Sequence, residues 1–292
     1  MQTPATFSSL VAVGDSFTEG MSDLLPDGSY RGWADLLAAR LAAASREAGG
    51  PGVRYANLAV RGKLIRQISD EQVDAAAAMR PDVITLVGGL NDVLRPGCDV
   101  PAVCAVLESC VRRLAPACDR LVLMRSPIRR GPVATRFLPR MLELFDFVEA
   151  LAAEHGAAVV DLYGAHVLGD DRMWAEDRLH LTAQGHERVA EAVWQALGLP
   201  AQSDWTRPLP PAVRAGWAAR RLSDARFTRT HLLPWIGRRL TGRSSGDGRD
   251  PKRAQLLPYE VPLPGAALGK EPRTGPGALP GAAPDAVPGA DV

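Results

Sequence analysis

Apolar residues occupy the first two hundred positions in two kinds of run. Short runs without alternation, such as Leu10-Val11-Ala12-Val13, suit strands buried on both faces. Longer stretches with helical spacing lie between them. The pattern predicts strands over residues 10–13, 53–60, 82–87, 120–124 and 157–162. It predicts helices over residues 33–46, 65–79, 100–114, 138–155 and 182–197. Breakers punctuate them: Gly49-Gly50-Pro51-Gly52 ends the first helix, Pro81 the second, and Gly156 follows the fourth. This alternation predicts an α/β domain over residues 1–200, built on a five-stranded parallel sheet covered on both faces.

From Pro200 the pattern changes. Residues 201–253 are rich in Arg and Trp, and residues 211–222 are compatible with a helix. A polar linker is expected over residues 242–250. Residues 254–292 read as a tail, dominated from Pro258 by Pro, Gly and Ala. Such a composition buries too little apolar surface to offset its ordering entropy, so disorder is expected. Losing the chain beyond Gly248 is therefore expected to change stability little. Trp205, Trp217, Leu222, Phe227, Leu232, Leu233, Trp235 and Ile236 are too many large apolar residues for a free segment, and some are expected to bury against the first domain.

With 292 residues and a formal net charge of +1, the chain has no global pull towards nucleic acid, and no such partner is expected. Cys98, Cys104, Cys110 and Cys118 form no Cys-x-x-Cys pair, so they read as small buried hydrophobes or free thiols. No metal site or cofactor is expected. No stretch is long and apolar enough for a bilayer, and Met1–Ser9 lacks a leader pattern; the expected location is cytoplasmic.

The candidate chemistry sits at predicted strand ends. Gly14 permits a sharp turn after the first strand, leaving Asp15 and Ser16 at the carboxyl end, where open parallel sheets bind ligands. The same residues admit a plainer reading, because Ser16-x-x-Glu19 also matches a helix capping box. A nucleophilic serine needs a base and an acid to orient it. His180 suits the first role, and Asp177, three residues earlier in the same loop, the second. The Ser16 N–H, the Gly62 N–H and the Asn91 amide could converge on an oxyanion.

These residues resemble the SGNH hydrolases, also called the GDSL esterase/lipase family. The matching motifs are Gly14-Asp15-Ser16-Phe17-Thr18-Glu19-Gly20, Gly62, Gly89-x-Asn91-Asp92 and Asp177-x-x-His180, over roughly residues 8–198. The resemblance implies a flavodoxin-like three-layer α/β/α fold. It also implies a Ser16–His180–Asp177 triad with Ser16, Gly62 and Asn91 as the oxyanion hole. Asp170, Asp171 and Glu176 are rivals to Asp177, and His186 to His180. His186 is expected on the surface of the last helix, and Asp92 is expected to be structural.

Two functions of different class follow. One is a serine hydrolase that cleaves a small-molecule oxygen ester through an acyl-enzyme. The other is a binding or regulatory module with a decayed site, its Arg/Trp segment docking on an anionic surface such as lipid headgroups or nucleic acid. The sequence leaves open the acyl group, the alcohol group, the choice between hydrolysis and acyl transfer to another acceptor, and the oligomeric state.

Overall fold

The first strand explains why its apolar run does not alternate. Leu10 and Ala12 face one core with Trp33, Leu37, Val189 and Val193, while Val11 and Val13 face another with Ile65, Ile68 and Leu107. A strand sandwiched between two cores needs apolar residues at every position. The computed structural model of the chain describes residues 7–129, 131–212, 216–234 and 244–260, which lie in one compact unit.

In chain order the elements are β1 Ser9–Gly14, α1 Ser16–Glu19, α2 Trp33–Glu47, β2 Arg54–Asn57, α3 Ile65–Ile68, α4 Asp74–Ala78 and β3 Val83–Val87. There follow α5 Leu90–Val93, α6 Val100–Leu114, β4 Arg120–Arg125, α7 Pro132–His155, β5 Ala158–Asp161, α8 Ala183–Ala196, α9 Trp217–Phe227 and β6 Arg253–Pro258. The sheet order is β5-β4-β3-β1-β2-β6, and β1 to β5 run parallel. Helices α2 and α8 cover one face, while α3, α6 and α7 cover the other. This is the three-layer, flavodoxin-like arrangement. The order reverses at β1, whose neighbours β3 and β2 lie on opposite sides, so the carboxyl ends of β1 and β3 flank a switch point.

The five expected parallel strands are present, and among the described residues a sixth strand joins them. β6 pairs antiparallel with β2 and is made of residues assigned from 254 onward to a disordered tail. Its anchor is aromatic: Tyr259 is buried, stands edge-on to Tyr55 at 5.3 Å, and Arg253 lies over both rings. The mean composition of the tail hid a short apolar run with a buried partner. Lys252 adds to the seam, its Nζ donating to the carbonyls of Glu19 (2.6 Å) and Tyr30 (3.1 Å) and pairing with Asp35 (2.5 Å). Residues 253–258 are thus built into the sheet, which runs against the expectation that losing the chain beyond Gly248 changes stability little.

Two helices also differ. The helix expected over 65–79 is α3 and α4 joined by a π-helical turn, Ser69–Val73. The helix expected from 138 starts at Pro132 and continues through Pro139. In the Arg/Trp segment, Trp205 and Leu209 pack on the core, whereas Trp217 and Leu222 of α9 are 76% and 74% exposed. Trp235, Ile236 and residues 261–292 lie outside the described residues. Cys104 and Cys110 are buried on α6, and burial pushes the Cys104 and Cys118 thiols up to about 11.

Candidate active site

Gly14 ends β1 in a space with no room for a side chain. A Cβ there would lie 2.5 Å from Thr18 Oγ1 and 2.7 Å from the Val87 carbonyl oxygen. Gln72, buried in the π-helical turn, pairs with this residue twice. Its Oε1 accepts from Gly14 N and its Nε2 donates to Gly14 O, both at 2.9 Å. The backbone just before Ser16 is therefore held from the side like a strand residue. Gln72 carries no motif context in the sequence, and the π turn is what aims it inward.

Asp15, not Ser16, caps α1: its Oδ1 accepts from Phe17 N at 3.1 Å. Ser16 is the first residue of the helix, half-buried, and its hydroxyl has no hydrogen-bond partner among the described residues. Nor does its N–H. The capping-box reading also fails at its other end, since Glu19 turns away from the helix start. Its carboxylate accepts from Arg61 N (2.7 Å) and Nε (2.9 Å) and pairs with Arg61 Nη2. This buried pair ties α1 to the turn that carries Gly62.

Gly62 has φ +73°, in the left-handed region that favours glycine. Its N–H is unpaired among the described residues. A Cβ there would lie 2.3 Å from Ser244 Oγ, because the segment after α9 comes back over this turn.

Asn91 follows Gly89 at the end of β3. Its Nδ2 donates to Asp15 Oδ2 (2.9 Å) and to the Lys63 carbonyl (3.1 Å), so both amide protons are engaged. The structure thus brings Asp15, Asn91 and the Gly62 turn together. Burial raises the Asp15 carboxyl to about 6, against the pull of the Phe17 N–H and the charge of His180. Asp92 Oδ2 accepts from Ile65 N at 3.0 Å and starts α3, in keeping with a structural role.

Asp177 organises the loop before α8. Its Oδ1 accepts from Leu179 N and His180 N, both at 3.0 Å, and its Oδ2 lies 2.6 Å from His180 Nδ1. A carboxylate can only accept, so Nδ1 is the donor in this contact and Nε2 is turned away from Asp177. Burial would raise the Asp177 carboxyl, but the hydrogen bond and charge of His180 outweigh it and hold it at about 2. The rival acids are paired elsewhere: Asp170 with Arg172, Asp171 with Arg129, and Glu176 with Arg226. Ser16 and His180 are not joined by a hydrogen bond in this structure.

His186 corrects an expectation. It is buried, not on the helix surface: Nδ1 accepts from Trp33 N (3.3 Å), and Nε2 donates to the Met21 carbonyl (3.1 Å). Both ring nitrogens are occupied, and burial pushes the imidazole down to about 4. Among the described residues, no group of three or more His, Cys, Asp or Glu is placed to hold a metal ion. No helix there is long and apolar enough to cross a membrane.

Residues 12–188 match the model of a family described as GDSL-like Lipase/Acylhydrolase. Among solved structures, LAE5, an alpha/beta hydrolase enzyme from the metagenome of Lake Arreo in Spain, is 26% identical with a TM-score of 0.56. That likeness covers 66% of this chain and 96% of that one. Axe2, an acetylxylan esterase from Geobacillus stearothermophilus, is 21% identical with a TM-score of 0.55, over 70% of this chain and 99% of that one. None of the proteins with curated functions matches the chain.

Proposed function

The chain belongs to the GDSL-like Lipase/Acylhydrolase family, and on that premise we propose that it cleaves a carboxylic (oxygen) ester through an acyl-enzyme on Ser16. Ser16 Oγ attacks the ester carbonyl carbon, and its proton passes to His180 Nε2. Asp177 stabilises the imidazolium across the Nδ1 hydrogen bond. The carbonyl oxygen becomes an oxyanion and takes hydrogen bonds from the N–H groups of Ser16 and Gly62. Asn91 adds a third donor by giving up one of its two present acceptors, Lys63 O or Asp15 Oδ2. Collapse expels the alcohol, which takes the proton from His180, and a water activated by His180 then releases the acid and frees Ser16.

The observation that carries this reading is the 2.6 Å contact between His180 Nδ1 and Asp177 Oδ2, made in the loop that the family spacing assigns to base and acid. The test is hydrolysis of p-nitrophenyl esters of increasing chain length. Wild type is expected to turn over at least the short esters and Ser16→Ala none; retained turnover in Ser16→Ala would remove the serine mechanism.

The second reading, docking on an anionic lipid surface through residues 201–253, draws on the exposed Trp217 and Leu222 of α9 beside Arg221 and Arg226. Vesicles containing phosphatidylserine, compared with neutral vesicles, test it by cosedimentation. Binding to neither would dismiss it.

A further inference from the structure

Arg178 stands between Asp177 and His180 and has φ +56°, one of three non-glycine residues with positive φ among the described residues. An arginine holds that conformation only when its surroundings impose it. The backbone at Arg178 sets the whole loop: its N–H donates to Ala175 O (2.9 Å), and Ala175 N donates to His180 O (2.8 Å). If residue 178 relaxed to negative φ, the Asp177 carboxylate and the His180 ring would separate.

What holds the side chain is α9. Arg178 Nη2 donates to Asp224 Oδ1 (2.7 Å) and Ser223 Oγ (3.2 Å), and its guanidinium lies 4.5 Å from the centre of the Phe227 ring. A second pair, Arg226 with Glu176 at 3.5 Å, links the same helix to the same loop. That pair is exposed at both ends and holds little by itself. At the Arg178 site Asp224 is also exposed, but the guanidinium is largely covered, and stacking on Phe227 acts on it together with the charge-assisted bond. All three partners lie beyond residue 188, where the family match ends.

We infer that α9 positions the base of the reaction: by holding Arg178 in the left-handed region it keeps Asp177 and His180 in register. Arg178 is a positioning residue, acting through the loop without touching substrate. The inference rests on the proposed Ser16–His180–Asp177 reading for its effect on rate, but its structural half stands apart from it.

The experiment therefore uses two readouts on the full chain. One is kcat and KM for p-nitrophenyl acetate. The other is the downfield proton resonance of His180 Nδ1–H, assigned by its loss in His180→Ala. Arg178→Ala and Asp224→Ala/Phe227→Ala approach the contact from opposite sides. Each is expected to lower kcat about tenfold, the scale of holding a non-glycine residue in the left-handed region, while KM stays put. Each should also shift or broaden the resonance. Arg178→Gly, which takes positive φ without strain, should lose less than Arg178→Ala and keep the resonance. Asp224→Glu should restore most of the loss seen in Asp224→Ala. Unchanged kcat and resonance in the two alanine variants, or equal losses for Arg178→Ala and Arg178→Gly, would overturn the inference. Ser16→Ala separates the two claims: were it active, the serine reading would fall, and the resonance would still decide whether α9 sets the loop.

Discussion

The carboxamide of Gln72 pairs with both the N–H and the carbonyl of Gly14, each at 2.9 Å, two residues before Ser16. A side chain here does what a neighbouring strand does elsewhere in the sheet. Gln72→Ala leaves two buried backbone groups without this partner. The Gly14 carbonyl keeps only the long bond from Val60 N (3.4 Å), and each lost bond costs about 1–3 kcal/mol, so stability should fall by roughly 1–5 kcal/mol. Because the turn bearing Ser16 is loosened, kcat should fall as well. Urea unfolding and steady-state kinetics on one preparation check both, and an unchanged kcat at reduced stability would confine Gln72 to the fold.

Asn91→Ala is expected to lower kcat by about a hundred- to a thousandfold with little change in KM, the usual size for one lost oxyanion donor. The substitution also strips Asp15 Oδ2 of its amide partner. A raised KM with kcat intact would make Asn91 a ground-state contact instead.

His186 gives stability a specific pH dependence. Buried and doubly hydrogen-bonded, its ring is pushed down to about 4, against about 6.5 in the unfolded chain. Between these values the unfolded state binds the extra proton, so this residue's contribution rises with pH from about 4 to about 6.5 and is lost on acidification. Its full size is up to about 3 kcal/mol. Asp15 works the other way, since its raised carboxyl favours the folded state at lower pH. The difference in unfolding free energy between wild type and His186→Gln isolates the histidine, and it should grow with pH across that window. A flat difference would mean that the ring is not held neutral.

Truncation after Gly248 removes β6, Lys252 and Tyr259 together. It opens the edge of β2 and uncovers Tyr55, so a lower melting temperature and self-association are expected. Thermal melts with light scattering test this, and a melting temperature equal to that of the full chain would contradict it.

Local signals are legible in the sequence. β1 and Gly14 were legible because a buried strand must be apolar throughout and the turn must be glycine. The contact between Asp177 and His180 is legible because one short loop carries both. Long-range partners left weaker traces. β6 pairs with residues some two hundred positions away, and no local pattern announces that pairing. His186 did leave a signal: it is in line with Val189, Ala190 and Val193, the buried stripe of α8, and that spacing marks it as an inward residue. Gln72 lay within an expected helix, and only the π turn shows which way it points.

The most direct measurement is covalent. Full-length protein is treated with a fluorophosphonate, digested, and the adduct located by mass spectrometry. The account predicts one adduct on Ser16, sharply reduced in His180→Ala and in Asp177→Ala, because the hydroxyl then lacks an oriented base. Absence of label on Ser16 in wild type, or labelling undiminished in His180→Ala, would contradict it.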